Sequence, residues 1–266
     1  MSFDIQEFIQ EAIFTFQSKR RLMNMWRAPL AAVLPADHAL IPTLREMAAG
    51  DHLLPEELLP GAKSIIVFFV PFDNRIIESN IKGEAASKEW AGAYVTTNEL
   101  LAFISDAIEQ ALTQKGFRTG KIQATHNFDE RTLLSRWSHR HIAWIGGLGT
   151  FGINNMLITS MGCCGRLSSL VTDAGIGEFA VATSTAISAA GSIPEKCLYK
   201  IDGSCGLCLK KCPSGAYDPE GFFDRHKCYE LCLKNAELHK ALGLADVCGK
   251  CLVGLPCSSR DPSLRV

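Results

Sequence analysis

The sequence predicts an α+β fold, with an α/β body over residues 1–190 and a small cysteine-rich module over residues 191–266. Three observations lead there. The run Lys63 to Phe72 is almost wholly β-branched and aromatic, and reads as a strand buried on both faces. Two longer stretches carry apolar residues at helical spacing. Nine of the eleven cysteines lie between Cys197 and Cys257, after composition shifts near Ala190-Gly191-Ser192-Ile193-Pro194 from apolar to loop-rich.

The first helix is expected over about Asp4 to Met25, where Ile5, Phe8, Ile9, Ala12, Ile13 and Phe16 share a stripe. Lys19, Arg20 and Arg21 suit the negative end of its dipole and read as a solvated helix end. From Trp26 to Gly61 the density of proline and alanine predicts short helices and loops, closed by the turn Leu59-Pro60-Gly61-Ala62. The buried strand follows. A second helix is expected over Thr96 to Lys115, with Leu100, Leu101, Ile104, Ile108 and Leu112 on one face and Gly116 as its C-cap.

Lys121 to Thr125 reads as a short strand, and Glu130 to Ile145 as mostly helix. The cluster Arg136, Trp137, His139, Arg140 and His141 is either a cofactor contact or, more commonly for such a pattern, a helix face packed on the sheet. The glycine-dense passage Gly146 to Thr159 lets the backbone approach something flat. Its Gly147-x-Gly149-x-x-Gly152 matches a dinucleotide fingerprint by letter, but no strand precedes it and strand rather than helix follows, which argues against that assignment. Gly165 to Thr172 reads as a further strand, and Glu178 to Ala190 has little pattern.

Composition narrows the partners. At 266 residues and 47% hydrophobic the chain can bury a sizeable core. Its net charge of −1 and lack of a basic tract make nucleic acid an unexpected partner. The acidic N-terminus Met1-Ser2-Phe3-Asp4 does not read as a signal peptide. Ser64 to Phe72 falls far short of the ~20 residues that cross a bilayer. A cytoplasmic protein away from membranes is expected. In that compartment clustered cysteines are metal ligands or catalytic groups, and an odd eleven cannot all pair.

The module supplies the chemistry. Cys205-Gly206-Leu207-Cys208-Leu209-Lys210-Lys211-Cys212-Pro213 is C-x2-C-x3-C-P, the tail of a bacterial ferredoxin run. A four-iron cubane needs a thiolate at each corner, and in two-cluster ferredoxins the cysteine before the proline serves the other cluster. Applied here, Cys197, Cys205 and Cys208 form one set with distant Cys257. Cys212, Cys228, Cys248 and Cys251 form the second, with Cys248-Gly249-Lys250-Cys251 a further C-x2-C. Cys232 competes with Cys228 from the same helix, four residues on. Two zinc sites would use the same count of thiols, but the C-P ending and interleaved spacing favour two [4Fe-4S] clusters. Cys163 and Cys164 read as packed thiols or as groups facing an active cavity.

Three stretches together resemble the epoxyqueuosine reductase family and the related corrinoid reductive dehalogenases. They are Leu59 to Val67, the passage Gly147-Leu148-Gly149-Thr150-Phe151-Gly152 with Asn154 and Leu157-Ile158-Thr159, and the double-cluster module. The resemblance implies a cobalamin-binding domain of nitroreductase-like kind beside a ferredoxin-like module that feeds it electrons. It implies a cofactor contact from Gly147, Gly149, Gly152, Asn154 and Thr159, and favours Cys228 over Cys232. It also implies a general acid, for which Asp129, Glu130 and Tyr94 are the candidates. Two departures stand out. The family's Trp-Ile-Gly-Lys is here Thr150-Phe151-Gly152-Ile153, without the lysine, and the chain ends at Val266 without the extension of the tRNA-processing members. The expected function is an iron–sulfur oxidoreductase passing single electrons to a corrinoid, with a redox protein or a small molecule as partner. The rival readings are an electron-transfer protein with no substrate chemistry and a protein whose clusters only brace the fold.

Overall fold

The computed structural model describes residues 3–180, 193–218 and 222–264. The elements run β1 (Phe3–Asp4), α1 (Ile5–Arg20), β2 (Leu30–Pro35), α2 (Leu44–Met47), α3 (Pro55–Leu58), β3 (Ser64–Pro71), α4 (Asn74–Ser79) and α5 (Lys88–Gln114). Next come β4 (Thr119–Lys121), α6 (His139–Ile145), β5 (Gly149–Phe151), β6 (Leu157–Thr159), β7 (Gly165–Thr172) and β8 (Phe179–Ala180). The cysteine-rich part holds α7 (Leu198–Asp202), α8 (Leu207–Lys210) and α9 (Arg225–Leu238). The mixture is α+β, as expected. The expected boundary at residue 190 lies outside the described residues.

A four-stranded sheet in the order β2-β3-β7-β4 carries the fold, and each of its pairings is antiparallel. All eight residues of β3 are buried. Alternate residues serve different cores. Ile66, Phe68 and Val70 pack with α1 and α5, while Ile65 and Val67 pack with Trp137, Ile142 and Ile145 around α6. Helical layers on both faces explain why a continuous apolar run sits in an antiparallel sheet.

Helix α1 buries the expected stripe of Ile5, Ile9, Ala12, Ile13 and Phe16, is capped by Asp4 accepting from Glu7 N at 2.9 Å, and stops at Arg20. Helix α5 is longer than expected at its start. Ser87 caps it, accepting from Trp90 N at 3.1 Å. That earlier start brings Trp90 and Tyr94 onto its buried face.

Two expectations are corrected. Leu30–Pro35 is a strand, where composition predicted loops and short helices. Its alanines are small enough to lie under the helices, and its terminal Pro35 sits at the sheet edge. Glu130 to Ile145 is not mostly helix, since α6 begins only at His139. Residues 129–135 form a turn because Asp129 Oδ1 accepts from Arg131 N and Thr132 N at 3.0 and 2.9 Å, with Leu133 at φ 54.

Residues 193–218 and 222–264 are helix and loop, clasped to the sheet domain. Arg27 Nη1 donates to Ser259 O at 2.8 Å. Asn154 Nδ2 donates to Cys251 O and Asn80 Nδ2 to Cys248 O. Buried Lys250 donates to Asn80 O and Lys82 O, both at 2.8 Å. Lys196 pairs with the buried Asp261 carboxylate.

Candidate functional site

The cysteines gather around two cavities. One, of ≈ 360 Å³ including its open mouth, is lined by Cys197, Cys205, Cys208 and Cys257, with Ile153, Ile158 and Leu255 as apolar walls. The other is larger, ≈ 1510 Å³ including its open mouth, and is lined by Cys212, Cys228, Cys248 and Cys251, with Cys232 and Cys163 beside them. Each four-residue set read from spacing thus faces one cavity. Cys197 sits at the N-cap of α7, Cys208 on α8, and Cys228 with Cys232 on α9. All eleven thiols are free. Among the described residues, no group of three or more His, Cys, Asp or Glu side chains is arranged to hold a single metal ion.

Burial and neighbouring sulfurs hold some of these thiols protonated. Burial first, then neighbouring sulfurs, push Cys208 and Cys248 up to about 11. Cys251 goes higher for the same reasons. Buried thiols that repel one another as thiolates suit a cationic core, which would draw them into the ionised form. Cys228 moves the other way, because Cys232 donates its S–H to it and the Arg140 guanidinium faces it, while Cys232 is held protonated. Of the pair, Cys228 is the readier thiolate.

The large cavity continues from the thiols to a wall from the sheet domain, including Phe69, Trp90, Tyr94, Trp137, His139 and Arg166. Tyr94 is 6% exposed, and its hydroxyl donates to Asp246 Oδ1 at 2.9 Å. Arg166 lies 4.2 Å above its ring. Burial raises the Tyr94 pKa, with Arg166 opposing, so the phenol keeps its proton. The other Asp246 oxygen bonds His126 Nε2 at 3.0 Å. His139 Nε2 donates to Gln123 O and its Nδ1 pairs with Ser169 Oγ at 2.7 Å. Burial lowers this imidazole to about 4, so it is neutral. Neither of its ring nitrogens is spare for a metal. Trp90 contributes a buried indole N–H with no partner.

The other expected residues stand elsewhere. Asp129 and Glu130 are exposed and do not line the large cavity. The backbone amide of Thr132 and its neighbours hold the Asp129 carboxyl below the usual range, the wrong direction for a proton donor at neutral pH. Of the three candidate acids, only Tyr94 faces the cavity. The glycine passage folds as the β5–β6 hairpin. A side chain at Gly149 would strike the Ile158 carbonyl, and one at Gly152 would meet Asn154 Oδ1 at 2.8 Å. Gly147 turns the chain at φ 80, and Thr159 Oγ1 donates to Gly162 O at 2.8 Å. Asn154 holds Cys251 O. None of the five lines the large cavity, and Gly152 and Asn154 border the smaller one. Close backbone packing at Gly149 and Gly152 requires glycine whether or not a cofactor approaches. Spacing gave no sign of Trp90, Asp246, His126 or Arg166, which come from four separate parts of the chain.

No family profile and no curated protein matches the sequence. Among solved structures, an epoxyqueuosine reductase from Bacillus subtilis, with its catalytic loop swung out of the active site, matches over 99% of this chain and 68% of its own, at 18% identity and TM-score 0.52. An epoxyqueuosine reductase in complex with an epoxyqueuosine-modified tRNA stem loop matches over 98% and 71%, at 19% identity and TM-score 0.53. A catabolic reductive dehalogenase in complex with 3-bromo-4-hydroxybenzoic acid matches over 87% of this chain but 30% of its own, at 15% identity and TM-score 0.58. The tRNA belongs to that neighbour. Among the described residues no helix is long and apolar enough to cross a membrane. The chain has an α+β fold whose structural neighbours are epoxyqueuosine reductases and a reductive dehalogenase, at low sequence identity.

Proposed function

We propose that the chain is an iron–sulfur oxidoreductase that carries two [4Fe-4S] clusters and delivers single electrons into the large cavity. The observation that carries this is the partition of the thiols, with Cys197, Cys205, Cys208 and Cys257 around one cavity and Cys212, Cys228, Cys248 and Cys251 around the other. A tetrahedral zinc at ~2.3 Å from each sulfur would set the thiols roughly 3.8 Å apart around one ion. Among the described residues no three such side chains are arranged around a single ion, which suits cubane corners better. Residues from about 191 onward form the cluster module, and the sheet domain before it supplies the cavity wall.

Bound in this way, the clusters would supply one-electron carriers, and a corrinoid in the large cavity would supply a one-electron cobalt centre. The residues present fit a broad, flat guest. Phe69, Trp137, Met156 and Leu157 offer an apolar wall that excludes water, and Arg166 holds a cation beside it. Tyr94 keeps a proton at its hydroxyl, oriented by Asp246, and is the candidate donor to a substrate. A specific observation favours a second reading, in which the protein passes electrons to a partner and binds no corrinoid: none of Gly147, Gly149, Gly152, Asn154 and Thr159 lines the large cavity.

The experiment is anaerobic purification and reconstitution with iron and sulfide, followed by titration with hydroxocobalamin and gel filtration. About eight irons per chain with retained corrinoid absorbance is expected. Eight irons with no retained corrinoid supports the second reading. About two zinc per chain without visible absorbance would overturn both.

A further inference from the structure

Trp90 is 2% exposed, and its indole nitrogen has no hydrogen-bond partner. Indole N–H can only donate. Leaving such a donor buried and unpaired costs about 1–3 kcal/mol, and native structures rarely tolerate it. The contrast within the chain is direct. Trp26 Nε1 donates to Thr97 Oγ1 at 2.8 Å, and Trp137 Nε1 to Ser169 Oγ at 2.9 Å.

The unpaired N–H lies where an acceptor of one particular kind is expected. Trp90 borders the same cavity as Cys212, Cys228, Cys248 and Cys251. Its ring rests on the Cys248-Gly249-Lys250-Cys251 turn, so that a side-chain carbon on Gly249 would fall 2.6 Å from Nε1. Gly249 has φ 72, and its bare Cα is what lets the indole approach the ligand turn.

We propose that the Trp90 N–H donates a hydrogen bond to a sulfur of the cluster held by Cys212, Cys228, Cys248 and Cys251, and so raises that cluster's reduction potential. The proposal rests on the two-cluster reading. Reduction places added negative charge on the cluster sulfurs, and a donor binds the more negative state more strongly. The effect is confined to one cluster, because Trp90 does not border the cavity of Cys197, Cys205, Cys208 and Cys257. It biases an electron toward the cluster that opens onto the large cavity.

The test uses the full chain, reconstituted anaerobically and titrated with reductant under electron paramagnetic resonance, as wild type and as Trp90→Phe. One couple should lose about tenfold in its reduction equilibrium, about 59 mV for a one-electron couple, while the other stays in place. A second measurement needs no variant: with tryptophan ¹⁵N-labelled at the indole, pulsed resonance of the reduced protein should show a nitrogen coupling at one cluster. Two unshifted couples, or no indole coupling, would overturn the proposal with the two-cluster reading intact. Iron far below about eight per wild-type chain would overturn that reading and this proposal together.

Discussion

Replacing Gly249 with alanine tests the packing of the sheet domain against the ligand turn. The new methyl group meets two separate penalties. At φ 72 a side chain is strained, at a cost of about 1–2 kcal/mol. The methyl also collides with Trp90 Cζ2 and Cε2, with Nε1 at 2.6 Å. The indole has little room to yield. It is 2% exposed and is held edge-on by Phe72, with ring centroids 5.0 Å apart at 81°. Overpacking at such a site costs about 1–3 kcal/mol, for a total of roughly 2–5 kcal/mol. Gly203→Ala is the matched control, since Gly203 has φ 74 in the same module but nothing within 4 Å of the added carbon. Only the backbone penalty applies there, about 1–2 kcal/mol. Thermal melts of the reconstituted chain should fall by roughly 2 °C per kcal/mol, so Gly249→Ala should melt several degrees below Gly203→Ala. Equal losses in the two variants would refute the claim that the indole rests on the turn.

Three further outcomes are expected. Cys257→Ser and Cys212→Ser should each lower iron from about eight to about four per chain, through different clusters, whereas Cys232→Ser should leave it near eight and Cys228→Ser should not; loss of iron in Cys232→Ser alone would reverse the assignment of that pair. Tyr94→Phe removes a buried donor from the Asp246 carboxylate and should cost about 1.5–3 kcal/mol in urea unfolding, while Asp129→Asn, in an exposed turn, should stay within about 1 kcal/mol; the opposite order would contradict the placement of these groups. His139 titrates near 4 in the fold against 6.5 in the unfolded chain, so between those values the unfolded state binds the extra proton and stability falls on acidification, by up to about 3 kcal/mol, a slope that His139→Gln should flatten relative to wild type.

How much of this was legible depended on how far apart in the chain the contacts lie. Strand β3 and helix α1 declare themselves locally, by a continuous apolar run and by a stripe at helical spacing. The grouping of the thiols follows the spacing, since Cys197, Cys205, Cys208 and Cys257 border one cavity and Cys212, Cys228, Cys248 and Cys251 the other, while their role as cluster ligands is the proposal made above. Strand β2 was hidden because alanine and proline are poor strand formers, and its pairing with β3 is a tertiary matter. The stretch from Glu130 was over-read because the Asp129 side chain captures backbone amides that a helix would have used. The wall of the large cavity was not legible. Tyr94 meets Asp246 across 152 residues, and nothing near Trp90 signals that its ring will rest on Gly249. The glycine passage is ambiguous for a physical reason, since close approach to a second strand demands the same absent side chain as close approach to a cofactor.

The clasp between Arg27 and Ser259 has a consequence for biosynthesis. Arg27 emerges early, yet its guanidinium meets Ser259 only after 232 further residues. Cys257, in the same returning segment, completes the set begun at Cys197. At roughly 5–20 residues per second, the 60 residues between those two cysteines take about 3–12 s to synthesise. For most of that interval, from Cys208 onward, a nascent chain holds three thiols of the first set without the fourth. On the two-cluster reading, loading at that cavity is a late event that follows synthesis of the returning segment, and a chain interrupted before Cys257 exposes an incomplete set to oxidants and to competing metals.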